Sequence, residues 1–158
     1  MWRYLLLTIG MSLGCFTVAN AELDPFTEMA LESFRESVAT HQEQAGQQSL
    51  EQQAQYLMQV KNGLTLYREG VLQPGDKSHL VTLVEQQLSV ASIALDSSAL
   101  TREQSELAKR MRGAALAAKQ LLGLEPTAAT FEGLMERYHN GIGYDAYRYA
   151  QDSDIEQL

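Results

Sequence analysis

Apolar positions recur at spacings of three and four from residue 24 to residue 142, and no stretch alternates apolar and polar as a half-buried strand does. The pattern predicts an all-α fold: an up-down bundle of about five helices, each roughly 20 residues long. Asp24 followed by Pro25 reads as an N-cap with proline at the first helical position. Leu31, Phe34, Val38, His41 and Ala45 then form one seam that ends near Gly46. Ser49 with Gln52 is a capping box. It opens a second helix over Leu50, Ala54, Leu57, Val60, Leu64 and Tyr67, closed by Gly70.

Leu72-Gln73-Pro74-Gly75 is expected to be a turn, with the third helix starting at Asp76 or Ser78. The third helix has a broad apolar face (Leu80, Leu83, Val84, Leu88, Ala91, Ala94, Leu95), which predicts the most central position. Thr101 with Gln104 starts a fourth helix over Leu107, Met111, Ala114, Ala115, Ala118, Leu121 and Leu122. A fifth begins near Thr127 and uses Phe131, Met135, Tyr138 and Ile142, with Asn140-Gly141-Ile142-Gly143 expected to interrupt it. The expected caps at 24, 49, 76, 101 and 127 are nearly evenly spaced, so helices of similar length and short connections favour antiparallel neighbours. Gln is concentrated in residues 42–59, but the apolar seam persists there, which predicts polar helix faces around a break at Gly46.

The first segment departs from this pattern. Arg3, the apolar run Tyr4 to Phe16 and Ala19-Asn20-Ala21 read as a secretory signal peptide over residues 1–21. The run is about 13 residues, short of the roughly 20 that span a bilayer. Ser12-Leu13-Gly14-Cys15 resembles a bacterial lipobox, so lipidation at Cys15 is the alternative to cleavage after Ala21. The expected organisation is signal peptide 1–21, bundle domain 22–143 and a Tyr-rich, acidic tail 144–158.

Composition narrows function mainly by exclusion. The 158 residues carry 12 Lys+Arg and 20 Asp+Glu, a formal charge of −8 that argues against nucleic acid as a partner. Removing residues 1–21 makes the charge −9 and takes the only Cys and the only Trp. The mature chain then has neither a disulfide nor a glycosylation sequon, which suits a bacterial periplasm better than a eukaryotic extracellular setting. Nucleophile elbows, phosphate-binding glycine loops and His-Glu-x-x-His are missing. The expectation is a non-enzyme without metal or cofactor.

Several residues nevertheless invite chemistry. His41 lies on the first apolar seam and His79 near the start of the third helix. Glu136 and His139 form a Glu-x-x-His, one half of what a di-iron bundle requires. Met29 near the start of the first helix, His139 in the last and Leu107–Leu116 resemble features of the cytochrome b562 family. That likeness implies a b-type haem carrier with Met29 and His139 as axial ligands. In a regular array of five helices, however, these two residues fall at opposite ends. Leu100-Thr101-Arg102-Glu103-Gln104 is similar to a motif of the Spy/CpxP periplasmic stress proteins and implies a chaperone-like role, although Thr101 and Gln104 also serve as a helix cap. Tyr138, Tyr144, Tyr147 and Tyr149 form the best expected interaction surface, because tyrosine is enriched in interface hot spots. The leading expectation is therefore a periplasmic protein-interaction or accessory module with an unidentified protein partner.

Overall fold

The computed structural model describes residues 22–43 and 49–154. The expected signal peptide with Cys15 and Ala21, the seam end at Ala45 and Gly46, and the last four residues lie outside the described residues. Six helices are present among the described residues: α1 (Pro25–Glu43), α2 (Leu50–Ala54), α3 (Leu57–Arg68), α4 (Pro74–Asp96), α5 (Arg102–Leu122) and α6 (Phe131–Asp154). The protein is an all-α bundle whose helices vary in length, and no strand occurs among the described residues.

The expected starts hold where a side chain caps the backbone. The Asp24 carboxylate accepts the amides of Phe26 (3.1 Å) and Thr27 (3.0 Å). Ser49 with Gln52, and Thr101 with Gln104, both form complete capping boxes. Three boundaries differ from expectation. Pro74 is the first residue of α4, because Asp76 reaches back to accept the Gln73 amide at 3.0 Å and converts the expected turn into a cap. The last helix starts at Phe131, because Ala128 and Phe131 donate to the carbonyls three residues earlier, making short turns in place of a first helical turn.

The second expected helix is two pieces. Tyr56 donates to the Gln53 carbonyl at 3.1 Å in a three-residue step and sits at φ −91, ψ 1, so the chain tightens between α2 and α3. This turn carries the buried Tyr56 ring edge-on to His41, with centroids 4.5 Å apart.

Gly141 and Gly143 do not interrupt α6, which continues to Asp154. Glycine costs about 1 kcal/mol relative to alanine in a helix. Burial of Ile142 between the glycines and of Ala146 beyond them, with the Arg110–Asp145 pair, offsets that cost. The bundle's core therefore extends past residue 143 into the expected tail.

Contacts set the topology. Phe34 lies over Gly63 of α3 while His41 meets Gln53 of α2, so α1 runs antiparallel to the α2–α3 segment. Tyr67 meets Lys77 and Gly63 meets Leu80, so α4 reverses again. Arg110 pairs with Asp145, and Glu103 with Arg148, so α5 and α6 are antiparallel. Helix α3 touches α1, α4, α5 and α6, and α4 touches α1, α2, α3 and α5, so the two share the centre of the bundle. Gly63 permits this closeness. A Cβ there would lie 2.8 Å from both Leu80 Cδ1 and Phe34 Cε2.

Candidate functional site

Helix α6 has a buried face and an exposed one. Successive helical residues turn about 100°, so Phe131, Met135, Tyr138, Ile142 and Ala146 face inward as one seam. The four tyrosines therefore do not form one patch. Tyr138 is 1% exposed and belongs to the core, which corrects its assignment to a partner surface. Its hydroxyl is buried without a hydrogen-bond partner, and burial pushes its pKa up. Tyr144 and Tyr147 point outward at 77% and 58% exposure. The Lys61 ammonium of α3 lies 5.0 Å from the centre of the Tyr147 ring.

Tyr149 is half-buried and lines a cleft of about 340 Å³ between α2, α5 and α6. Leu107 forms its apolar wall, and Glu51, Gln104, Glu103 and Arg148 supply polar groups. These groups are fastened to one another: Gln104 Nε2 donates to Glu51 Oε1 at 2.9 Å, and the Arg148 guanidinium pairs with Glu103. Burial raises the Tyr149 pKa; Arg148 lowers it, whereas Glu103, Asp145 and Glu51 raise it further. One turn earlier, Arg110 donates two hydrogen bonds to the buried Asp145, at 2.7 and 3.0 Å. The hydrogen bond and charge of Asp145 push the Arg110 pKa above its ordinary value.

Thr101 and Gln104, noted for their cap, are thus also part of a cleft. Glu51, Leu107 and Arg148 were not anticipated there. They come from three helices far apart in the chain, and no local spacing marks them.

The histidines are separated. His41 is buried at the end of α1, where the Gln53 amide donates to its Nε2 at 3.3 Å. Burial lowers its pKa, against the raising effect of that hydrogen bond. His79 is exposed on α4. His139 faces α3. Burial lowers its pKa, the positive charges of Lys61 and Arg68 lower it further, and Glu132 opposes them.

Because α6 continues to Asp154, His139 lies in its first half, toward the end of the bundle where α1 begins. The two ends argued for Met29 and His139 therefore do not apply. The structure still does not bring the two together: Met29 is 66% exposed on α1, and α3 stands between α1 and α6. Among the described residues no three His, Cys, Asp or Glu side chains form a group able to hold a metal ion. No helix among them is long and apolar enough to cross a membrane. The chain matches no protein-family model, no curated protein and no solved structure.

Proposed function

We propose that this protein is an exported, non-enzymatic helical bundle that works by binding a protein partner through the outer face of α6. The observation that carries the reading is the exposure of Tyr144 and Tyr147 on a helix whose opposite face is firmly packed. A large aromatic ring loses little conformational entropy on binding and buries much apolar area, so two of them on a rigid helix make an economical hot spot. Export is read from residues 1–21, which have the charge, apolar run and small-x-small ending of a cleaved leader.

Site-specific photocrosslinking tests the binding reading. A photoreactive residue at position 144 is expected to give protein adducts in cells, and one at the exposed Thr82 on α4 is not. Equal or absent adducts at the two positions would remove the α6 face from consideration. Purified mature protein is expected to begin at Glu22, as read by N-terminal sequencing.

A further inference from the structure

We propose that the outer face of α5 and α6 docks the α1 helix of a second copy of this chain. The inference rests on the interaction reading above and names its partner. The two faces lie on opposite sides of the bundle, since α4 on one flank and α3 on the other separate α1 from the α5–α6 pair.

The α1 face is acidic. Glu28, Glu32 and Glu36 are exposed, stand four residues apart, and enter no ion pair among the described residues. Arg35, the one Lys or Arg on this helix, is committed to Asp76 through two hydrogen bonds of 2.9 Å. Phe26 (82% exposed) and Met29 project from the same helix. A helix with carboxylates and uncovered large apolar side chains is suited to a basic surface with apolar rims.

The α5–α6 face has that character in a chain of formal charge −8. Lys109 and Arg112 on α5 and Arg137 on α6 are exposed, and Lys109 also reaches Glu106 at 3.1 Å. Leu116 and Tyr144 are the exposed apolar groups among them. The Arg110–Asp145 and Glu103–Arg148 pairs fix the register of the two helices, and continuing it sets Gly113 level with Gly141. A Cβ at either glycine would meet nothing within 4 Å, so both positions border open space on the exposed surface. Two side-chain-free positions at one height leave room for the side-chain ridge of an approaching helix.

The dimensions agree. Glu28 to Glu36 spans eight residues, about 12 Å of helix. Arg137 lies about eight residues above Lys109 in the same register, the same length. Every copy carries both faces, so the contact is heterologous and continues from copy to copy into a chain or a ring.

Sedimentation velocity on the purified protein tests this. At about 10 mM salt, where the Debye length is about 30 Å, the mean mass is expected to rise with concentration; at about 1 M it should fall back to the monomer. The triple variants E28K/E32K/E36K and K109E/R112E/R137E are each expected to stay monomeric at low salt, with circular dichroism confirming helix content. Mixed in equal amounts they are expected to associate again, since each now supplies the face the other lost. A wild-type protein that is monomeric at low salt overturns the proposal, as does a variant that associates like wild type or a mixture that does not recover. If position 144 still crosslinks to a different protein in those cases, the second copy is the wrong occupant and the interaction reading stands.

Discussion

Two buried polar clusters hold this bundle together by different chemistry. One is neutral: Gln53 donates to His41, and Gln87 donates to the Gln53 carbonyl at 3.4 Å, linking α1, α2 and α4. The other is charged: Arg110 grips Asp145 with two short bonds and fastens α5 to α6. Each neutral hydrogen bond contributes about 1 kcal/mol net, because water competes for the same groups. The charged pair is not much better than well-packed hydrocarbon as a whole, but breaking it can leave a buried charge without a counter-ion. What matters in the second case is which partner remains.

The largest expected effect follows from that asymmetry. Arg110→Ala leaves the Asp145 carboxylate buried and unpaired, and is expected to cost roughly 3 kcal/mol of stability. Asp145→Ala is expected to cost distinctly less, because the Arg110 side chain is 41% exposed and its guanidinium can rehydrate. Denaturant titration of both variants checks this; equal losses would mean that the pair acts through geometry and not through a stranded charge.

The neutral cluster should break with pH instead. His41 of that cluster and His139, which lies outside it against α3, both have pKa values lowered by burial from the ordinary 6.5. Below that value the unfolded chain binds protons that the folded chain does not, so unfolding takes up protons and stability falls as pH decreases. The loss begins near pH 6.5 and levels off once the folded histidines also protonate. The Arg35–Asp76 pair has a dependence of the same sign in a more acidic window. Arg35 holds the Asp76 carboxyl below its ordinary 3.8, so its contribution persists above that pH and is lost only as pH falls through the folded value. Thermal unfolding of His41→Gln/His139→Gln is expected to show a flatter profile between pH 7 and 5 than wild type, and an unchanged slope below pH 3.8. A wild-type profile already flat between 7 and 5 would contradict the assignment of both rings as neutral.

The contrast also separates what the chain makes legible from what it does not. Caps and seams are local, and Ser49, Thr101 and the α5 apolar face follow directly from residue type and 3.6-residue spacing. The persistence of α6 is not local: Gly141 and Gly143 oppose a helix, and only tertiary burial of Ile142 and Ala146 together with the Arg110–Asp145 bond overrides them. The close approach of α3 to α1 and α4 depends on Gly63, a residue that reads as a weak helix former until Phe34 and Leu80 are brought against it. The tyrosine surface was legible as composition but not as geometry, since the angle around α6 sends Tyr138 inward and Tyr144 outward. Pairs such as Glu51–Gln104 join residues whose spacing carries no signal.

Tyr138 provides the smallest and cleanest test of the rule that the group left behind sets the cost. Its hydroxyl has neither a neutral partner like that of His41 nor a charged one like that of Asp145. A buried polar group without a hydrogen bond sacrifices its hydration and gains nothing in return, a penalty on the order of 1 kcal/mol or more. Tyr138→Phe removes that oxygen and leaves the ring in place against its neighbours. The ring atoms that fill the core are the same, so the loss from the small space vacated by one oxygen is a fraction of a kcal/mol. The variant is therefore expected to be more stable than wild type by about 1 kcal/mol, seen as a higher denaturation midpoint at unchanged slope. A less stable Tyr138→Phe would mean that the hydroxyl has a partner in solution, and that this third polar site belongs with the satisfied ones.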